Sequence, residues 1–133
     1  MQEGVLAPSM RYPCHEGYQV GRLKMKCHAH ASPADLRFAI ATSCNAYFCY
    51  VFRNILENPR YGSVKEGFDV WREYVESFGF GRKLDSDFLG EGNGYVPDRK
   101  FYDQTLSGVG GMHLGVVVVD RSGRIGVYAV ANG

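Results

Sequence analysis

The sequence predicts a helix-rich α+β fold, and two observations support that prediction. Three segments between residues 32 and 78 carry apolar side chains at helical spacing. A valine-rich stretch near the C-terminus is interrupted by a short polar turn, which is typical of a β-hairpin. The length of 133 residues and the mass of 14.8 kDa fit one domain or part of a larger one.

The first two helices are predicted on either side of residues 43–45. Ser32 is expected to cap the first helix, with Pro33 at the first helical position and Asp35 in the first turn. The second helix is predicted from Ala46 to Leu56. Its side chains are apolar nearly all round, so we expect a buried helix.

The third helix is predicted to begin at Ser63, because Glu66 follows at the spacing of a capping box. Its apolar positions recur with a period near 3.6 and are Phe68, Val70, Trp71, Tyr74, Val75 and Phe78. Before the helices, residues 1–26 predict a loop with a small hairpin. At the other end, residues 116–119 and 125–130 predict a second hairpin around Asp120–Gly123.

Composition and charge exclude several classes of protein. The 15 basic and 14 acidic residues give a net charge of +1, which argues against a nucleic-acid partner. An aromatic fraction of 14% argues against global disorder. The chain has no apolar run of about 18 residues and no signal-peptide pattern at its start, so neither a transmembrane nor a signal segment is expected.

Ser43 and Asn45 are the candidate catalytic residues. They lie two apart between two predicted helices, so both side chains can point into one cleft. A hydroxyl can relay a proton, and an amide can hold a substrate carbonyl. The alternative is an Asx-type cap, in which Asn45 serves only the second helix.

Cysteine and histidine form a second candidate site. The dipeptides Cys14-His15 and Cys27-His28, together with His30 and Cys44, resemble metal-ligand clusters, although their spacing matches no standard zinc finger. A Cys14–Cys27 disulfide and free thiols are the alternatives. Cys49 lies inside the apolar second helix and is predicted to pack in the core.

Glycine-rich loops and serine-hydrolase motifs give no further site. Residues 79–81 and 90–94 are rich in glycine but lack the strand and helix of a phosphate-binding loop, so ordinary turns are predicted. Ser-x-x-Lys, Lys-Thr/Ser-Gly and Gly-x-Ser-x-Gly do not occur in the 133 residues. A serine nucleophile with its base therefore cannot be assembled from these residues alone.

The order of several short motifs resembles a penicillin-binding protein transpeptidase domain, with the class B penicillin-binding protein 2 as the nearest type. The resemblance covers roughly residues 1–104. It rests on residues 4–8, on Cys27-His28-Ala29-His30, on residues 32–36 and 39–41, on Ser43-Cys44-Asn45-Ala46-Tyr47-Phe48, on Phe78-Gly79-Phe80-Gly81 and Gly90-Glu91, and on Gly94-Tyr95-Val96-Pro97.

The resemblance implies a part of the α/β serine-acyltransferase fold and a role in cross-linking peptidoglycan stem peptides. In that family Ser43 would shuttle a proton and Asn45 would bind an amide of the stem peptide or of a β-lactam. The nucleophile would precede Met1 and the Lys-Thr-Gly motif would follow Gly133, so the chain is similar to an internal fragment that needs the remainder of the domain. The parent enzyme would be anchored in the bacterial cytoplasmic membrane, with its catalytic domain on the outer face.

The resemblance also bears on cofactors. No cofactor is required by the family reaction, but some enzymes of this type carry zinc near the second motif. Cys14, Cys27, His30 and Cys44 are therefore the alternative metal ligands. A non-catalytic zinc-binding module and a standalone structural domain are the competing functions.

Two regions are expected, a partial transpeptidase domain over residues 1–105 and an atypical tail over 106–133. After Gln104 the family pattern requires Ser-Ile-Gly-Gln-Gly-Glu, three further residues and Thr-Pro-Leu-Gln-Met-Ala, which the tail lacks. Residues 119–124 and 128–133 can be back-translated so that a one-nucleotide shift yields both blocks, with three codons between them. This pattern indicates out-of-frame translation, and a genuine hairpin is the alternative.

Overall fold

Along the described part of the chain, one antiparallel strand pair precedes helices α1 to α3 and a second pair follows them. The computed structural model describes residues 1–20, 23–83, 85, 87, 96–100, 115–119 and 125–129. In chain order the elements are β1 (Gly17–Val20), β2 (Leu23–Lys26), α1 (Leu36–Ala41), α2 (Asn45–Leu56), α3 (Val64–Ser77), β3 (Gly115–Val119) and β4 (Ile125–Ala129).

Both predicted hairpins are confirmed at the level of strand pairing. β1 pairs with β2 in the register Gly17 opposite Lys26, and β3 pairs with β4 in the register Gly115 opposite Ala129. The predicted turn at Asp120–Gly123 and the turns predicted at residues 90–94 lie outside the described residues.

α1 begins later than the sequence predicted, because Asp35 and not Ser32 caps it. Asp35 is extended, and its Oδ1 accepts a hydrogen bond from the Phe38 N–H at 2.9 Å. The Ser32 hydroxyl instead accepts a hydrogen bond from the Cys14 N–H at 3.0 Å. Ser32 therefore anchors the N-terminal segment and has no capping role.

α2 connects two apolar clusters. Its N-terminal half supplies Ala46, Tyr47 and Cys49 to a first cluster, which also contains Cys14, Tyr18, Ala34, Ala39 and Cys44. Its C-terminal half supplies Phe52 and Leu56 to a second cluster with Phe68 and Trp71 of α3. The prediction that Cys49 packs in the core is confirmed. α2 is not buried all round, however, because Phe48 is 43% exposed.

α3 begins as its capping box predicted. The Ser63 hydroxyl accepts a hydrogen bond from the Glu66 N–H at 3.2 Å, and Glu66 Oε2 accepts one from the Gly62 N–H at 2.8 Å. The helix then places Phe68 and Trp71 against α2, where the Trp71 ring packs edge-on to Phe52 at 5.1 Å. Phe78, at the end of the predicted apolar stripe, is 79% exposed.

The Glu3 carboxylate ties the N-terminal segment to α3 and to the loop that precedes it. It accepts hydrogen bonds from the hydroxyls of Tyr61 and Tyr74, and Arg60 Nη1 lies 3.6 Å from it. The Tyr61 hydrogen bond is the main cause that lowers the pKa of the Glu3 carboxyl. Burial opposes this shift, and Tyr74 and Arg60 add to the lowering.

Replacing Glu3 is expected to change the acid stability of the chain. The folded-state pKa is lowered, so the carboxylate stabilises the fold above its ordinary pKa of 4.5, and this stabilisation is lost as the pH falls through the folded-state value. Glu3→Gln should lower the thermal midpoint at pH 7, and its difference from the parent chain should shrink at acid pH. Glu76→Gln, which removes only an exposed pair with Arg72, is the control. If the two thermal midpoints differed by the same amount at every pH, the stabilising role of the Glu3 carboxylate would be contradicted.

No helix in the described part of the chain is long and apolar enough to cross a membrane.

Candidate functional site

The triplet Ser43-Cys44-Asn45 occupies the junction between α1 and α2. Ser43 adopts the left-handed conformation, with φ of 50°, and its N–H donates to the Ile40 carbonyl at 3.2 Å. The reversal leaves Ser43 and Asn45 exposed and Cys44 fully buried. The two predicted catalytic side chains are therefore accessible to a ligand, while the residue between them belongs to the core.

Asn45 does not cap α2, so the Asx-cap interpretation is wrong. The cap is Cys44, whose Sγ accepts a hydrogen bond from the Tyr47 N–H at 3.4 Å. Asn45 Nδ2 instead donates to the Lys26 carbonyl at 2.9 Å, at the end of β2. This bond orients the amide and leaves its Oδ1 as an acceptor and its second N–H as a donor for a ligand.

Cys14, Cys27, His30 and Cys44 form a compact cluster. Their ligand atoms all lie within 4.8 Å of one another, although they come from three separate segments of the chain. Three sulfurs and one imidazole nitrogen are a donor set that zinc binds tetrahedrally in structural sites. Zn–S bonds of about 2.3 Å place sulfurs about 3.8 Å apart, so only a small contraction of the cluster is needed. The arrangement can hold a metal ion.

Hydrogen bonds orient two of the four donors. His30 Nδ1 lies 2.8 Å from the Ala31 carbonyl oxygen, so Nδ1 carries the proton that it donates there. His30 Nε2 is then left facing Cys27 Sγ at 3.5 Å. This is the usual arrangement of a metal-binding histidine, in which the second ring nitrogen donates to a carbonyl.

The Cys27 thiol is hydrogen-bonded to the backbone of the Ser-x-Asn triplet. Burial raises the pKa of the Cys27 thiol, but hydrogen bonds from the Asn45 N–H and from His30, followed by smaller ones, outweigh it and lower the pKa overall. The smaller ones come from Cys14 and from the Ala46 N–H. The N–H groups at the start of α2 therefore favour the thiolate form of Cys27 over its thiol form.

The pKa values of two buried thiols, Cys44 and Cys49, are shifted in the opposite direction. Burial raises the pKa of Cys44 to about 11 and that of Cys49 to about 12. Cys49 is not a member of the cluster, and all four cysteines are free, so the Cys14–Cys27 disulfide is absent from the structure. A cation among the sulfurs would favour the thiolate form of Cys44.

Of the three histidines considered as metal ligands, His30 belongs to the cluster of described residues and the other two do not. His15 and His28 are exposed and lie outside the group of four donors found among the described residues. The Lys26 carbonyl, which holds Asn45, was not predicted from the sequence. Its role depends on the backbone, so no residue type signals it.

The comparison with known families gives a match that spans this site. The model of the penicillin-binding protein transpeptidase domain matches residues 1–116, which include the triplet and all four cluster residues. No curated protein and no solved structure matches the chain. Since the match covers most of the 133 residues, the chain belongs to the penicillin-binding protein transpeptidase domain family.

Proposed function

We propose that this chain supplies the Ser-x-Asn part of a peptidoglycan D,D-transpeptidase of the class B penicillin-binding protein 2 type. The observation that carries the proposal is the family match across Ser43-Cys44-Asn45. The exposure of Ser43 and Asn45 and the fixed orientation of the Asn45 amide support it. The ligands are peptidoglycan stem peptides and β-lactams, and the complete enzyme works at the outer face of the cytoplasmic membrane.

Ser43 and Asn45 have separate roles in this proposal. The Ser43 hydroxyl can both donate and accept, so it passes a proton between the lysine of the nucleophile motif and the leaving amine. The free groups of the Asn45 amide hydrogen-bond the acyl-side amide of the stem peptide. Because the Lys26 carbonyl already holds Nδ2, little side-chain freedom is lost when the substrate binds.

The 133 residues alone are expected to be inactive, because they contain neither Ser-x-x-Lys nor Lys-Thr/Ser-Gly. A fluorescent penicillin should therefore not label the isolated chain. Stoichiometric, boiling-resistant labelling would show that a nucleophile lies within these residues and would contradict the assignment.

In the transpeptidase that contains these residues, loss of either side chain should slow acylation. Ser43→Ala removes a proton relay and is expected to lower the second-order rate of penicillin acylation by about 10²- to 10⁴-fold. Asn45→Ala should weaken the same reaction. Ser77→Ala removes an exposed hydroxyl at the end of α3 and is the matched control. Unchanged acylation of Ser43→Ala would refute the proton-relay role.

We also propose that Cys14, Cys27, His30 and Cys44 bind one zinc ion in a structural site. Some enzymes of this family carry zinc near the second motif, and the 4.8 Å grouping of the donors and the contact of His30 Nδ1 with the Ala31 carbonyl support the fit. Bound zinc would fix the three sulfurs as thiolates. Cys44 is a direct neighbour of both Ser43 and Asn45, so the site holds the catalytic triplet in place.

Metal analysis of the purified, reduced chain tests the zinc proposal. We expect about one zinc per chain, lost in Cys27→Ser and retained in Cys49→Ser. Cys49 is the control because it is also a free thiol but lies outside the cluster. Zinc below a tenth of stoichiometry in the parent chain, or equal zinc in both variants, would overturn the proposal.

We propose, finally, that the tail is an out-of-frame translation of a transpeptidase gene. The family match ends at residue 116, inside the predicted tail of residues 106–133. The shifted blocks at 119–124 and 128–133 lie beyond that end. Sequencing the encoding DNA should show Ser-Ile-Gly-Gln-Gly-Glu and Thr-Pro-Leu-Gln-Met-Ala in one shifted frame. Codons that spell neither block in any frame would exclude the frameshift.

A further inference from the structure

The proposed zinc site contains three thiols, and this makes it sensitive to oxidation. Cys14, Cys27 and Cys44 are all free, and their sulfurs share a space 4.8 Å across. Cys14 hydrogen-bonds both Cys27 and Cys44, so it is the partner common to the other two sulfurs. Any two of these thiols are therefore close enough to be joined after a small side-chain movement.

Exposure selects the thiol that reacts first. Cys14 is 5% exposed and Cys44 is 0% exposed, whereas Cys27 is only half-buried. A disulfide in solution can reach the Cys27 sulfur but neither of the other two. Cys27 is thus the entry point for thiol–disulfide exchange.

Backbone constraints select the thiol that reacts second. Cys44 lies between two helices, with its N–H bonded to Ala39 and its Sγ capping Tyr47. Cys14 lies in a segment outside helices and strands, where its backbone is held by the Ser32 hydroxyl. Cys14 can therefore approach Cys27 at a lower conformational cost than Cys44 can.

We propose that Cys14 and Cys27 are a disulfide-exchange site, at which an organic disulfide oxidises the pair and expels the metal. This inference rests on the zinc site proposed above. The Cys27 sulfur attacks the organic disulfide, forms a mixed disulfide and releases one thiolate. Cys14 then attacks the Cys27 sulfur, forms the Cys14–Cys27 bond and releases the second thiolate. Two protein thiolates are oxidised, the organic disulfide is reduced to two thiols that take their protons from water, and Zn²⁺ leaves with two of its four ligands lost.

The consequence reaches the catalytic triplet. Asn45 and Ala46 donate their N–H groups to Cys27, and Asn45 Nδ2 is held by the neighbouring Lys26. Oxidation of Cys27 replaces the thiolate acceptor by a neutral disulfide sulfur, which is a weaker acceptor. The oxidised form therefore holds the start of α2 less firmly than the metal-bound form.

The test uses the zinc-loaded full chain, oxidised glutathione as the organic disulfide, and a chromogenic zinc chelator as reporter. We expect one zinc released per disulfide formed, and peptide mapping should join the peptides of Cys14 and Cys27. Cys49→Ser should behave as the parent chain does. In Cys14→Ser the reaction should stop at a glutathione adduct on Cys27. If this variant does not fold, the peptide map of the oxidised parent chain still shows which two cysteines are joined.

Three outcomes would overturn the inference. Zinc that stays bound while all thiols stay reduced, or a map that joins Cys14 to Cys44, would contradict it and leave the zinc site standing. A reduced chain that binds no zinc from the start would overturn both proposals.

Discussion

Removing the proposed zinc ion is expected to unfold the first apolar cluster. Structural zinc contributes about 10–16 kcal/mol to the folding of small peptides, which is comparable with the whole stability of an ordinary domain, about 5–15 kcal/mol. Two of the four ligands, Cys14 and Cys44, are buried members of that cluster. A chelator should therefore remove most of the cooperative thermal transition followed by circular dichroism at 222 nm.

Two variants make the chelation experiment specific. Cys44→Ala should resemble the chelated parent chain even without chelator, because it removes both a ligand and the Sγ cap of α2. Cys49→Ser should keep its response to chelator, since Cys49 lies outside the cluster. A midpoint that does not change with chelator would mean that the cluster contributes no metal-dependent stability.

Gly67→Ala is expected to disrupt the packing of α2 against α3. A Cβ at Gly67 would lie 2.5 Å from the Leu56 carbonyl oxygen and 3.0 Å from its Cα, and both are backbone atoms that cannot rotate away. In a free helix this change would stabilise by about 1 kcal/mol. Here the overlap forces the helices apart, which typically costs about 1–3 kcal/mol or more. We expect a destabilising net effect and a loss of the contact between the Trp71 and Phe52 rings.

Urea denaturation followed by Trp71 fluorescence measures this effect, since Trp71 is the single tryptophan of the chain. Glu73→Ala on the exposed face of the same helix is the control and should change stability by less than about 0.5 kcal/mol. A Gly67→Ala chain that is as stable as the parent would show that the helices are not so close.

Local signals in the sequence were sufficient for much of the fold. The capping box at Ser63 and Glu66 predicted the start of α3 because both partners lie within one turn. The same reasoning misplaced the start of α1, because Ser32 and Asp35 are both good caps. The choice depended on a distant group, the Cys14 N–H, which takes the Ser32 hydroxyl.

The site was harder to predict, because tertiary contacts assemble it. Cys14, Cys27 and Cys44 are separated by a hairpin and a short helix, so their spacing matches no standard metal motif, and only folding brings them together. The exposure of Ser43 and Asn45 follows from the left-handed turn at Ser43, a conformation uncommon for serine. Motif order identified the family, whereas the structure was needed to join the thiol cluster to the triplet.

In our proposal, a metal held by three sulfurs and one imidazole supports the Ser-x-Asn triplet. X-ray absorption at the zinc edge, measured on the reduced 133-residue chain, is the most direct test. We expect three sulfur neighbours at about 2.3 Å and one nitrogen at about 2.0–2.1 Å, with the same first shell in Cys49→Ser and no bound zinc in Cys27→Ser. A first shell of oxygen and nitrogen alone, or an identical shell in Cys27→Ser, would contradict the claim.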